Sequence, residues 1–483
     1  MLRFLLFSIS AGVLALGAKS RAADDNPPRK AETLQPHTIL LATQTAAKPP
    51  SALHYRLLPN SGESITGNAA PVWHKGIDAE RDVTHKISQE EYKWAESDFP
   101  LRDLPRAKVQ EFLARYSYAL RIARQASLRD HCDWQQPLVT WQNMGDLPFP
   151  SIQSLRQIAF LLGIQCRLQL SERRFEDAAD TLRIGFALAR HVAEGSTLIE
   201  SLVGSAIAQA MLSRIEEWMQ ISDSPNLYWP LTALPQPFID VRRVLELELN
   251  TIYRSLPQLR ELQNEKLSVR EVEGMIETLF RAISGSPSPQ DLKKRDWIAL
   301  RKLRIATLAA SIYPDARQAL LDRGQAMAEV DAMPVVQVVL VYVLNDYDRQ
   351  CQDVVKWLTL PPWQAMPGLA QMKNELRNAP LSNPLNLLFP AVSNIFAARV
   401  RLEHHIAALR CGEALRLYAS AHQGQPPAKW SDITSVPLPI DPFTGKGFDT
   451  FYDSKDGRAL LNIPELPGQG LRTRWRFEWS LKR

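Results

Sequence analysis

Apolar residues recur at threes and fours over much of this chain. From Pro105 onward, Val109, Phe112, Leu113, Tyr116, Leu120 and Ala123 share one side of a helical projection, with Arg106, Lys108, Arg115, Arg121 and Arg124 opposite. That pattern predicts an amphipathic helix. A loop, HCDWQQP, follows. The next predicted helix, about 152–171, carries Leu155, Ile158, Leu162 and Cys166 on its apolar face. SERRF turns it into a second helix, Phe175 to about Glu194, presenting Ala178, Leu182, Gly185 and Ala189. Gly195 ends that helix and Ser196 caps the next, 197–219. This third helix is nearly uncharged before Arg214, yet it holds Glu200 and the amphipathic end RIEEWM. It reads as a central buried helix with close neighbours at Gly204 and Ala208, not as a membrane span.

Proline and glycine punctuate the remainder. Ser88 and Glu91 have capping-box spacing and predict a short helix through Trp94. PNLYWPLTALPQP (225–237) contains four prolines and reads as an ordered crossover that buries Tyr228 and Trp229. Helices are predicted at about 238–262, 269–283 (opened by a Ser268/Glu271 box), 291–312 and 315–330, with SGSPSPQ (284–290) as an internal boundary. VVQVVLVYVL is β-branched, but Val335, Val338, Tyr342, Tyr347, Cys351, Val354 and Leu358 keep near-helical spacing, so 334–358 is assigned to helix. A Pro-rich stretch (361–390) precedes a long helix, about 391–422, that ends near Gly424. The pattern then switches to a period of two. FDTFYD (448–453) and RALLNI (458–463) flank SKDG as a hairpin. In the tail, Thr473, Trp475, Phe477, Trp479 and Leu481 alternate with Arg474, Arg476, Glu478 and Ser480, as in a half-buried antiparallel strand.

The fold class read from these patterns is mainly α: a multi-helix bundle or short array of helical hairpins, with a small C-terminal antiparallel β-meander. The expected divisions are a signal peptide (1–22), a flexible linker (23–51), a first helical domain (52–283), a second helical segment (291–384), and a long helix with a three-stranded antiparallel sheet (385–483).

Composition narrows the class. The chain has 483 residues, with 21 glycines and 34 prolines. Few glycines and many prolines suit helices broken at defined points. Collagen, wholesale disorder, a disulfide-dense mini-protein and a polytopic membrane protein are excluded. Arg3, an apolar stretch from Phe4 to Ala18 and the small residues around Arg21 read as a leader for export, with an uncleaved anchor as the alternative, and 15 apolar residues fall short of a bilayer span. Residues 1–22 carry three basic residues and no acid, so the formal charge of +5 falls to +2 without them. Nucleic-acid binding therefore loses its support. The basic tail, with Arg472, Arg474, Arg476, Lys482 and Arg483 against Glu478, reads as a solvated strand face. The four cysteines, Cys132, Cys166, Cys351 and Cys411, include no CxxC. Their even number leaves three full pairings open, and those inside helices also suit buried free thiols.

Three resemblances add to this reading. LSERRFEDAADTLRIGFALA resembles the turn and second helix of a tetratricopeptide unit, but Gln165 and Gln169 occupy apolar places of the first helix and one unit makes no solenoid. The C-terminal fifth, with its long helix, Gln423-Gly424-Gln425-Pro426, Ile440-Asp441-Pro442-Phe443-Thr444-Gly445-Lys446 and the Asp456-Gly457 hairpin, resembles the globular end of type II secretion pseudopilins. Here the helix is internal, so pilus assembly is not implied. LPGQGLRTRW replaces the acidic loop of that family, so no calcium site is implied either. As a whole the chain resembles a group of uncharacterised bacterial exported proteins, through ALHYRLLP, GNAAP (67–71), CDW (132–134), FALARHVAEGSTLIESLVGSAIA (186–208) and PNLYWPLTALPQP. That resemblance implies export and no activity.

Candidate chemistry is sparse. His131-Cys132-Asp133-Trp134 places a thiol beside an imidazole, but adjacent loop residues seldom point together, and the preferred reading is a loop anchored by a buried Trp134. His404 and His405 lie about 100° apart on a helix and share no face, whereas a helical metal pair needs spacing i, i+4. Asp346, Asp348 and Asp353, near Arg349 and Lys356, offer a cation site or an acid–base pair, but the mixed signs suggest helix-surface ion pairs instead. No cofactor and no metal are expected. The leading expectation is an exported periplasmic or secreted protein that binds another envelope or secreted protein. The alternatives are an exported hydrolase assembled from distant residues, with Cys132, His131, Asp346 and Asp348 as suspects, and a self-associating envelope component.

Overall fold

Most of the helices demanded by the apolar spacing are present in the computed structural model, which describes residues 37–42, 51–135, 149–284, 295–378, 390–455, 458–463 and 475–480. In chain order they run β1 (His37–Leu40), β2 (Ile65–Asn68), α1 (Ala70–Arg81), α2 (Gln89–Lys93), α3 (Arg106–Arg115), α4 (Ser117–Ser127), β3 (Arg129–His131), α5 (Phe149–Ser171), α6 (Phe175–Ala193), α7 (Leu198–Met219), α8 (Tyr228–Thr232), α9 (Arg242–Leu249), α10 (Thr251–Ser255), α11 (Val269–Ser284), α12 (Arg295–Asp322), α13 (Met327–Asp331), α14 (Val335–Leu358), α15 (Pro362–Asn378), α16 (Pro390–Ala421), β4 (Tyr452–Lys455), β5 (Arg458–Ile463) and β6 (Trp475–Ser480). The protein is mainly α-helical with a small C-terminal group of antiparallel strands. Among the described residues, one compact unit spans Arg242–Asn394; the other takes the chain up to Val241 and from Ile395 onward. These units divide the chain at different points from the composition-based boundaries, and residues 285–294, which hold most of the Ser/Pro boundary, lie outside the described residues.

The larger unit is built on α5, α6 and α7, joined by loops of a few residues. Arg173, at φ +57°, makes the left-handed turn after α5, and the Arg174 amide donates to Gln169 O at 2.9 Å. Thr197, not Ser196, caps α7: its hydroxyl takes the Glu200 amide, and the Glu200 carboxylate takes the Thr197 amide at 3.0 Å. Glu200, the charge that counts against a membrane span, is thus the reciprocal half of a cap. By length and composition α7 is apolar enough to cross a bilayer, but most of it is buried inside this unit. A cap contributes about 1 kcal/mol, while each large apolar side chain contributes about 2 kcal/mol on burial. The stripe of Ile207, Met211, Leu212 and Ile215 therefore outweighs the cap in holding α7.

Buried charge ties this unit together. On α5, Arg167 pairs with Glu217 of α7 at 3.1 Å and donates to the carbonyls of Trp94 and Phe99. Arg214 meets the same carboxylate at 3.1 Å and Ser97 Oγ at 2.7 Å. The single helix expected over 105–124 is interrupted at Tyr116, with neither Pro nor Gly there. The interruption accompanies burial of the Tyr116 ring 5.3 Å from Phe112.

The C-terminal sheet has the order β1-β6-β5-β4. β4–β5 and β5–β6 are antiparallel, as the sequence pattern requires. β1 is an addition: His37–Leu40, inside the stretch expected as a flexible linker, pairs parallel with Trp475–Glu478. Burial of Ile39 and Leu41 anchors it. In the hairpin, Asp449–Phe451 form a 3-10 turn, so the first strand begins only at Tyr452. Trp475, Phe477 and Trp479 are buried on one face, as the alternation predicts. Phe477 lies against Gly412 of α16, where an added Cβ would come within 3.0 Å of its ring. Thr473 and Leu481 lie outside the described residues.

In the smaller unit α14 is helical, so spacing outweighs the β-branched preference. Val338, Tyr347, Val354 and Leu358 are all buried. The helix expected over 238–262 is instead α9, α10 and a 3-10 turn at Pro257–Arg260. Leu256, at φ −138° and ψ 79°, is outside the helical region that a residue before proline avoids. Conversely α12 continues through Pro314, across the gap between the helices expected at 291–312 and 315–330, and α15 forms within the Pro-rich 361–390 with Pro367 inside. Trp357 lies over Gly368 of α15, where a side chain would collide with the indole at 2.2 Å.

Candidate functional site

The smaller unit contains an open cleft of about 400 Å³ between the Asn250–Gln263 segment and one face of α14. Its shape follows from the local sequence. The break at Asn250 and the turn imposed by Pro257 bring Leu259 and Leu262 to line the same cleft as Val341 and Leu344. One turn farther along α14, Asn345, Asp348 and Gln352 continue the same stripe at spacings of three and four. The floor is aliphatic and the edge polar.

Hydrogen bonds order that edge. Tyr253 donates its hydroxyl to Asp348 Oδ1 at 2.7 Å, and Gln263 Nε2 donates to Asn345 Oδ1 at 2.9 Å. The Arg260 guanidinium lies 4.8 Å from the Tyr253 ring centroid and 3.5 Å from Asn250 Oδ1. Burial raises the Asp348 carboxyl above the usual range, against the Tyr253 bond and the Arg260 charge, which lower it. Burial, with the bond to Asp348 second, raises the Tyr253 hydroxyl far above its ordinary value. The proton therefore stays on the tyrosine. Cys351, on the same wall, is pushed up to about 12 by burial. A thiol so protonated is a poor nucleophile. This edge can hold a polar ligand; it lacks an activated attacking group among the described residues.

The residues singled out from sequence separate in the structure. Asp348 lines the cleft. Asp346, two positions away, forms surface pairs with Arg349 at 2.7 Å and Gln350 at 2.7 Å. Asp353 meets Arg349 at 3.4 Å and also Lys356. Cys132 and His131 belong to the larger unit. Cys132 is buried, its amide donates to Glu194 at 2.9 Å, and burial with the nearby Glu194 and Asp133 charges raises its thiol. His131 is exposed and pairs with Asp130 at 2.7 Å. Trp134 is the buried anchor of this loop, donating to His191 O at 2.7 Å.

His404 and His405 are both buried, both rings lie against Trp475, and each meets a different carboxylate. His405 Nε2 lies 2.7 Å from Glu216 Oε1 and its Nδ1 lies 2.7 Å from Gln209 Oε1. Glu216 also meets His37 at 3.0 Å and accepts the Trp475 indole N–H at 3.0 Å. His404 Nδ1 lies 2.9 Å from Asp441. Among the described residues no group of three or more His, Cys, Asp or Glu is arranged to hold a metal ion. Sequence reasoning missed Tyr253, Arg260 and Asn250. Tyr253 meets Asp348 across 95 positions, and no local motif joins them. Neither a family model, nor a curated protein, nor a solved structure matches this chain.

Proposed function

We propose that this chain is an exported protein of the cell envelope that acts by binding, with another envelope or secreted protein as its partner. The observation that carries the reading is where the chemically capable groups are used. Cys132 is buried and protonated, Glu216 joins two histidines to an indole, and Asp441 holds a turn to α16. Groups so engaged tie elements to one another and are poor candidates for turnover. The long helix packed on a small antiparallel sheet, the arrangement that resembles a pseudopilin's globular end, supports a protein partner. Exposure of Trp229 and Ile440 supports it further, since their segments are joined by the Tyr228 hydroxyl on Pro437 O.

The test is cross-linking of the mature protein in cells, followed by identification of what is captured. A specific envelope or secreted partner is the expected result. Turnover in a broad hydrolase screen, abolished by Asp348→Asn and with no partner captured, would reverse the reading.

A further inference from the structure

We propose that the cleft between the Asn250–Gln263 segment and α14 binds a neutral polyhydroxylated ligand, a saccharide unit. The inference goes beyond the reading above and does not depend on it. Four carboxamides (Asn250, Gln263, Asn345 and Gln352), one carboxyl (Asp348) and one guanidinium (Arg260) converge on the cleft. Each is planar and offers two hydrogen-bonding atoms side by side. Adjacent hydroxyls, each both donor and acceptor, are the natural complement of such groups.

The internal bonds pre-orient this edge without exhausting it. Tyr253 occupies Asp348 Oδ1, and Gln263 occupies Asn345 Oδ1. Among the described residues Asp348 Oδ2, Gln263 Oε1 and Asn345 Nδ2 carry no bond within the protein, so acceptors and a donor stand together. The aliphatic floor suits the C–H face of a sugar ring. Charge argues against other small ligands. One guanidinium and one carboxyl leave the cleft without the net charge that a phosphate or a polyamine requires. A free amino acid would need both groups for its own ends. Here Arg260 is drawn over the Tyr253 ring and Asp348 is engaged by the Tyr253 hydroxyl.

The experiment is NMR titration of the full mature chain with a panel of neutral mono- and disaccharides, and with free amino acids as the contrast. At least one saccharide is expected to bind, with saturable shifts. Gln352→Ala, at an exposed position, and Asn345→Leu are each expected to weaken it by roughly tenfold, the size of one lost hydrogen bond. Asp346→Asn, off the cleft, is expected to leave it unchanged. Circular dichroism shows whether each variant is folded, and Gln352→Ala keeps the test valid if Asn345→Leu is not. Absence of shifts with every saccharide at millimolar concentration overturns the proposal. So does binding that both folded cleft variants leave intact, or preference for an amino acid over every saccharide.

Discussion

His404 and Asp441 join the long helix α16 to the turn that follows it, Nδ1 to Oδ1 at 2.9 Å, with both side chains almost completely buried. The same carboxylate takes the Phe443 amide at 2.8 Å and the Thr444 hydroxyl at 2.9 Å. Backbone bonds from Asp441 N to Lys446 O and from Gly445 N to Asp441 O close the turn, with Gly445 in the left-handed region. Burial alone would raise the Asp441 carboxyl, but His404, the Phe443 amide and the Thr444 hydroxyl bring it below its ordinary value. Asp441→Ala leaves three donors without their acceptor and is expected to cost about 2–4 kcal/mol in urea unfolding. Asp441→Asn keeps an acceptor and should cost less. Equal losses for the two would argue against the turn as the carboxylate's role.

The Glu216 cluster predicts a pH window. Burial would raise Glu216, but the charge of His405 and the bonds from His37 and His405 hold it down to about 2. His37 is raised by its bond to Glu216, against burial and with the charges of Glu216 and Glu217. A lowered carboxylate stabilises the fold above its ordinary 4.5 and loses that contribution as pH falls toward 2. A raised histidine stabilises fully below its ordinary 6.5 and loses it as pH climbs through the raised value. The His37–Glu216 pair therefore contributes most between 4.5 and 6.5. The His37 ring is half exposed, so solvent screening holds the effect to about 1 kcal/mol. Melting curves of His37→Ala against wild type should differ most in that window. A difference independent of pH would contradict the assignment.

Local periodicity is sufficient for most helices, and the physical reason is visible at α14. Its β-branched run favours a strand residue by residue, yet Val338, Tyr347, Val354 and Leu358 bury one helical face, and summed burial exceeds local propensity. Where the deciding contact is remote, the same reasoning has nothing to read. His37–Leu40 carries no strand signal of its own and acquires its structure from a partner at Trp475–Glu478. Spacing alone places His404 and His405 on different faces, but it cannot supply Asp441 and Glu216. Asp348 stands out as a charge in the sequence. Tyr253, which orients it, does not, because an isolated tyrosine between two prolines resembles any core residue.

Two glycines should respond oppositely to alanine. At Gly204 of α7 an added Cβ would lie 2.5 Å from Ala189 O and 2.8 Å from Ala193 Cβ, so α6 and α7 would have to separate. Overpacking of this kind costs about 1–3 kcal/mol. At Gly163 of α5 nothing lies within 4 Å of the added carbon. There the substitution restricts the unfolded chain and improves helix propensity, a gain of about 0.5–1 kcal/mol. Denaturation midpoints of Gly204→Ala and Gly163→Ala should move in opposite directions. Two shifts of the same sign would show that helix approach does not govern Gly204.

The cysteines give the last expectation. All four are free: Cys132, Cys166 and Cys411 are buried and Cys351 is half-buried. Burial raises each thiol, Cys351 to about 12 and the others further. With the Cys351 thiol at about 12, about one molecule in ten thousand carries its thiolate at about pH 8. The native protein, purified without reductant, should therefore label slowly with a maleimide and at Cys351 first. Unfolding without reductant should expose four reactive thiols to mass spectrometry. Recovery of two labels in place of four would mean a disulfide and a different arrangement of the helices that carry these residues. Faster labelling of Cys132 than of Cys351 would reopen Cys132 as a nucleophile, since only a lowered, accessible thiol reacts in that order.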